Sequence, residues 1–203
     1  MDAEFFRRWL TATARAVERE AGRLTELDSA IGDADHGANL RRGFQAVTEA
    51  LAARDPQEPD TPGAVLTLAG RTLVSKVGGA SGPLYGTLLR RTGKALGDAS
   101  EVSDAELRAA LEEGVRAVGV LGKSEAGDKT MLDALFPAVA ALAESYPAAG
   151  DAAARGAEAT IPLRARRGRA SYLGERSVGH EDPGAASSAL LFATLAEVAG
   201  DVR

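Results

Sequence analysis

Apolar positions along this chain recur with the spacing of helices and almost never with the alternation of strands. Over residues 2 to about 24, Phe6, Trp9, Leu10, Ala14 and Val17 fall three or four places apart, with one adjacent pair, and so line one helix face. After an interruption the pattern resumes over about 38–54 and again over about 64–76, with a Pro-rich connector at 55–63 between them. Pro83 suits the first turn of a fourth helix reaching Leu96. Ser103 and Glu106 form the S-x-x-E pattern that opens a fifth helix, to about Leu121. Residues 131–146 and 151 to about 159 are predicted as the sixth and seventh helices, the latter ending before Pro162. Asp182 as N-cap and Pro183 at the first helical position start an eighth, which ends at Gly200. The Ala- and Leu-rich stretches at 132–142 and 190–195 read as core.

Eight successive helices with short connections favour an antiparallel bundle or barrel, in which every second loop lies at the same end. The loops after the first, third, fifth and seventh helices are L-D-S-A-I-G-D-A-D-H-G-A-N (27–39), V-G-G-A-S-G-P-L-Y-G (77–86), G-K-S-E-A-G-D-K-T (122–130) and L-R-A-R-R-G-R-A-S-Y-L-G-E-R (163–176). These four hold nearly all the unusual chemistry of the chain, and up-and-down topology alone gathers them.

Composition narrows what that chemistry is. The 203 residues, 45% hydrophobic, fit one domain over 1–203 with a core large enough to fold without staples. There is no cysteine, which excludes disulfides, thiolate nucleophiles and Cys-ligated metals and points to the cytoplasm. No secretory signal and no run approaching roughly 18 apolar residues is present, so no membrane association is expected. The net charge of −5 argues against a nucleic-acid partner. The exception is local: the 163–176 stretch carries five arginines, either a solvated basic loop or part of a polyanion site.

Asp28, Asp33 and Asp35 offer hard carboxylate oxygens suited to Mg²⁺ or Ca²⁺, and such crowding costs Coulomb energy unless cations offset it. An EF-hand is excluded, because the twelfth position holds Phe44 counted from Asp33 and Asn39 counted from Asp28, where a Glu is needed. Mg²⁺ commonly shares a few carboxylates with phosphates, so a phosphorylated ligand is indicated. The alternative is that the aspartates are helix caps and turn formers. G-G-A-S-G-P ahead of a helix can cradle an anion on backbone N–H groups, or simply end the preceding helix. Neither the Walker A nor the G-x-G-x-x-G pattern occurs. His36 is open to three roles, as phosphate donor, metal ligand or plain hydrogen-bonding residue, and no Ser-His-Asp set stands out.

Taken together, L-D-S-A-I-G-D-A-D-H-G-A-N, G-G-A-S-G-P-L-Y-G, G-D-K-T-M-L-D-A-L-F-P and G-R-A-S-Y-L-G-E-R-S-V-G-H-E-D-P-G-A resemble the nucleotide-binding L subunits of dihydroxyacetone kinases, from about Leu24 to the C-terminus. The resemblance implies an all-α, eight-helix antiparallel up-and-down barrel with ADP or ATP and two Mg²⁺ ions in the loops at one end. By motif it assigns Asp28, Asp33 and Asp35 to the metal. His36, Gly37, Ala38 and Asn39 match the nucleotide-contacting segment, with Ala38 offering backbone only. Gly79, Ala80 and Ser81 match the phosphate loop, and Gly122, Thr130 and Met131 the nucleotide pocket. Arg169 matches the catalytic arginine facing the phosphates, with Arg176 as a second cation. Asp182, Pro183 and Gly184 match the segment closing over the nucleotide.

A chain of this length with no substrate-anchoring base resembles the phosphotransferase-system form, in which tightly held ADP acts as a coenzyme. That form implies two partners, a dihydroxyacetone-binding kinase subunit and a phosphohistidine carrier, and a homodimer is compatible with it. The alternatives are an ATP-dependent kinase subunit for another ketose and a non-catalytic nucleotide-sensing module.

Overall fold

The computed structural model describes residues 1–55 and 60–201. The middle of the predicted Pro-rich connector therefore lies outside the described residues. Eight α-helices follow one another among those described: α1 (Ala3–Ile31), α2 (His36–Ala52), α3 (Pro62–Lys76), α4 (Ser81–Leu96), α5 (Asp104–Gly122), α6 (Leu132–Ala141), α7 (Tyr146–Glu158) and α8 (Pro183–Gly200). A 3₁₀ segment, Arg169–Ser177, lies between α7 and α8 and is broken at Gly174. The described residues contain no strand, only an isolated bridge between Asp2 and Glu101. Beside it Met1 and Val102 exchange N–H···O bonds of 2.7 and 2.9 Å, clipping the chain's start to the beginning of α5.

Each helix packs on its successor and α8 returns to α1, giving the expected up-and-down barrel. Closure uses both apolar and polar contacts. Trp9, fully buried, donates from its indole nitrogen to the Leu191 carbonyl at 2.8 Å, and the hydroxyls of Thr13 and Thr194 meet at 2.8 Å. Phe6, Leu10, Leu24, Phe44, Leu66 and Leu88 complete a continuous core, each such side chain contributing about 1.5–3 kcal/mol before the entropy of ordering it. Glycines bring α3 and α4 unusually close: a Cβ on Gly70 would lie 2.7 Å from the Gly86 carbonyl oxygen, and one on Gly86 would lie 2.7 Å from that of Gly70. No helix among the described residues is long and apolar enough to cross a membrane.

Four boundaries, in three places, differ from the sequence expectation, each for a local reason. First, α1 continues past Leu24 to Ile31, because Leu24, Asp28 and Ile31 extend its buried face until Gly32 ends it. Asp28 is therefore a helical residue and not a loop residue. Second, α2 begins at His36 rather than Ala38. Third, the expected helix over 131–146 stops at Ala141, and α7 begins at Tyr146 rather than Asp151. Pro147 decides this, since it is tolerated in a first turn and Ser145 caps that turn, its hydroxyl accepting from the Ala148 N–H at 3.1 Å. Pro137 remains inside α6 and cannot donate to the Asp133 carbonyl. Gly156 of α7 lies over that carbonyl, where a Cβ would come within 2.3 Å of the oxygen.

The break at Ser145 is testable, because a cap and a mid-helix position respond oppositely to alanine. Ser145→Ala is expected to lower unfolding free energy by about 1 kcal/mol in urea titration, with unchanged slope. A gain in stability would instead mean that residue 145 sits inside a continuous helix.

Candidate functional site

The loops following α1, α3, α5 and α7 converge at one end of the barrel around a cavity of about 450 Å³. The sequence-predicted residues that line it are Asp28, Asp33, Asp35 and His36 from the first loop, Gly79, Ala80 and Ser81 from the second, and Gly122, Thr130 and Met131 from the third. Arg169, Asp182, Pro183 and Gly184 complete the wall. Four of the predicted residues are elsewhere. Gly37 packs inside the α1–α2 contact, where a Cβ would lie 2.0 Å from the Ala21 carbonyl oxygen. Ala38 is exposed on α2, Asn39 is buried and accepts from the Arg42 guanidinium at 2.6 Å, and Arg176 is exposed outside the cavity wall.

The carboxylates of Asp28, Asp33 and Asp35 each bring an oxygen within 4.8 Å of the others. Asp28, in the last turn of α1, is the buried member; its Oδ2 accepts from the backbone N–H groups of Asp35 at 2.8 Å and His36 at 3.1 Å. It thus caps α2 in place of Asp35, whose own side chain makes no capping bond. Gly32 allows this return, since a Cβ there would collide with Asp28 Oδ1. The turn places Ala34 at φ +62, a left-handed conformation that side chains other than glycine adopt at a cost, held here between two of the three aspartates. Asp33 also meets Arg169 Nη2 at 2.9 Å, a half-exposed pair screened by solvent. Three carboxylates this close, one set by backbone bonds and two exposed, fit Mg²⁺ as a donor set.

His36 is buried, and both ring nitrogens are engaged: Nδ1 with the Ser81 hydroxyl at 3.1 Å and Nε2 with that of Ser187 at 2.9 Å. Burial holds its pKa below the ordinary histidine value, against the opposing pull of Asp28 and Asp35. Ser187 continues to Tyr85 OH at 2.7 Å, and Tyr85 to Ser188 at 2.9 Å, so α2, α4 and α8 share one buried polar chain. Burial pushes the Tyr85 phenol up to about 12, and it stays protonated. Beside this chain, Gly79 at φ +66 turns the backbone into α4. The first intrahelical bond of α4 is donated by Leu84 to Ala80, so the N–H groups of Ser81 and Gly82 are not used by the helix.

The third loop is organised by acidic side chains turned onto its own backbone. Asp133 accepts from Gly127 N–H at 2.5 Å and Thr130 N–H at 2.7 Å, and Asp128 from Glu125 N–H at 3.1 Å. Asp128 also faces Arg167 at 3.4 Å, which brings the arginine-rich segment over the cavity. Asp182 caps α8, accepting from Ala185 N–H at 2.7 Å, and desolvation together with nearby Asp133 pushes its carboxyl up to about 7. Lys129, also on the wall, is kept below the ordinary lysine value by burial, partly offset by Asp182.

Sequence reasoning missed Lys129, Arg167, Tyr85 and Ser187 at this end of the barrel. Lys129, Tyr85 and Arg167 stood in quoted motifs without a role given to them, whereas Ser187 lies outside those motifs; only packing shows that Ser187 joins His36 to the Tyr85 hydroxyl.

The chain matches the DAK2 domain over residues 30–197. It is 45% identical over 192 residues to the ADP-binding subunit DhaL of PEP-dependent dihydroxyacetone kinase 1 from Listeria innocua, covering 94% of each chain. The ADP-binding subunit DhaL of the Escherichia coli PEP-dependent dihydroxyacetone kinase is 43% identical over 198 residues, covering 93% of each. The crystal structure of the dihydroxyacetone kinase from C. freundii in complex with AMP-PNP and Mg²⁺ aligns with a TM-score of 0.74 at 27% identity. That alignment covers 93% of this chain and 33% of the kinase, so the chain spans about a third of its length. With a domain match over most of its length and relatives above 40% identity end to end, this chain belongs to the DAK2-domain family.

Proposed function

We propose that residues 1–203 act as one nucleotide- and Mg²⁺-binding domain, the ADP-binding subunit of a phosphotransferase-system-type dihydroxyacetone kinase. A phosphoryl group passes from the nucleotide held here to dihydroxyacetone on a partner subunit, and a phosphohistidine carrier in the cytoplasm restores the nucleotide. The observation that carries this reading is the convergence of three carboxylates, the Gly79–Ser81 turn and Arg169 on one cavity at the mouth of the barrel.

Asp28, Asp33 and Asp35 would hold two Mg²⁺ ions, which when bound neutralise and align phosphate oxygens. The protein's own contribution is positioning. The unused N–H groups at the start of α4 and the partial positive charge of that terminus receive phosphate oxygens. Arg169 supplies a delocalised cation to the charge on the transferring group. His36 is engaged by Ser81 and Ser187 and so orients the phosphate turn rather than acting as a free base, which supports the donor half of the reaction for this chain. A carboxyl at Asp182 that stays protonated toward neutral pH adds little repulsion to a polyphosphate.

Native mass spectrometry on freshly purified protein is expected to find ADP with two Mg²⁺ retained. Asp33→Ala is expected to abolish phosphoryl transfer in the reconstituted three-component reaction, with helical circular dichroism unchanged. Nucleotide binding without any transfer in the presence of both partners would favour a sensor instead.

The Asp182 shift makes a separate prediction for the nucleotide-free protein. The folded-state pKa, about 7, lies above the unfolded value of 3.8. As pH rises between these values the unfolded chain releases the proton and the folded chain keeps it, so this group's stabilising contribution is lost across that window and is constant above it. Asp182→Asn keeps the cap and is expected to flatten the fall in stability between about pH 4 and 7, read from urea midpoints. An unchanged profile would show that Asp182 is ionised throughout.

A further inference from the structure

Lys129 is 1% exposed and lies at φ +63, one residue before Thr130 of the cavity wall. Its Nζ donates to the backbone carbonyls of Thr160 at 2.8 Å, Leu163 at 3.1 Å and His180 at 2.5 Å, with Ile161 at 3.5 Å. An ammonium has three N–H groups, and these close carbonyls consume them. Lys129 therefore has no donor left for a phosphate, although it sits on the cavity wall.

The carbonyls come from two places. Thr160, Ile161 and Leu163 begin the arginine-rich segment and His180 ends it, so one ammonium ties both ends of a stretch that carries Arg167 and Arg169 and runs into Asp182. Within the segment the two sides are also joined by Gly179 N–H to Ile161 O at 2.8 Å, Asp182 N–H to the Thr160 hydroxyl at 2.9 Å, Ala165 N–H to the Ser177 hydroxyl at 2.9 Å and the exposed Arg164–Glu175 pair at 3.1 Å. Lys129 enters from the α5–α6 loop, outside the segment.

We propose that Lys129 is a positioning residue that holds the 160–182 segment closed on itself and thereby sets Arg167, Arg169 and Asp182 at the cavity. Without the ammonium, buried carbonyls lose their donor, and the junction of the segment's two ends falls to the Gly179–Ile161 and Asp182–Thr160 bonds, with Ala165–Ser177 further in. The consequence for transfer rests on the function proposed above, whereas the closure of the segment does not.

The absence of cysteine in the chain allows a direct test. In K129C the introduced thiol is unique. Alkylated in denaturant with 2-bromoethylamine and refolded, it regains an ammonium of lysine length; alkylated with 1-bromopropane, it regains the packing without donors. Wild-type protein treated identically is the control. In the nucleotide-free propylated form, amide exchange is expected to accelerate about tenfold or more over 160–182 while α1 and α3–α5 keep their protection. In the reconstituted reaction its kcat is expected to fall about 100-fold, with little change in KM for the dihydroxyacetone-loaded partner. The aminoethylated form is expected to recover both.

Equal protection in the two alkylated forms would overturn the proposal, because packing would then suffice. So would faster exchange throughout the barrel, or failure of only the propylated form to refold, since Lys129 would then be a general staple. Local opening with unchanged kcat would refute its link to the site. Should the control itself transfer no phosphoryl group, the proposed function fails while the exchange data still decide the closure.

Discussion

One carboxylate oxygen organises the functional end of this barrel. Asp28 Oδ2 accepts two backbone N–H groups across the α1–α2 turn. Those bonds start α2 at His36, point Asp33 and Asp35 back toward Asp28, and insert the imidazole between Ser81 of α4 and Ser187 of α8. Three helices that are far apart in sequence are thereby registered against one another by a single buried group. Removing its acceptor would leave two N–H groups without partners and His36 without its anchor, a loss larger than any surface ion pair supplies.

The same end shows how a polar site is kept inside an apolar barrel. No buried side-chain nitrogen or oxygen among the described residues lacks a hydrogen-bond partner. The Ser187–Tyr85–Ser188 chain and the Lys129 ammonium satisfy buried hydroxyl and backbone groups, and Asp133 satisfies partly buried N–H groups of its loop. Arginine charge is handled differently: Arg166, Arg167 and Arg169 stay largely exposed and meet Asp128 or Asp33 at 2.9 to 3.9 Å. Such pairs contribute little stability and leave the cations available to an anionic ligand.

Helix number, order and the gathering of four loops at one end were legible in the sequence because they depend on local properties: the 3.6-residue repeat, caps such as Ser103 and Asp182, and breakers such as Pro162 and the Pro-rich connector. Cavity-lining residues were legible where they stood in loops rich in Asp, Gly or Arg. The expected ends of α1 and α6 and the starts of α2 and α7 were displaced because a helix runs as far as its neighbours bury it. Leu24 to Ile31 continue a face that only the packed barrel defines, and Pro147 acts as a start signal only once Ser145 turns out of helical geometry.

What the sequence alone determined is therefore an all-helical chain with acidic, glycine-rich and basic loops at alternating helix connections, since those features need no knowledge of distant contacts. Only the tertiary structure decided which of the loop residues face the cavity. Gly37, Ala38 and Asn39 follow His36 directly, yet the helical rotation of α2 turns them to other surfaces. Lys129 is written as one more basic residue in a polar loop; that its ammonium is buried against carbonyls more than thirty residues downstream is set by the chain's path through space, where desolvation demands that every donor find an acceptor.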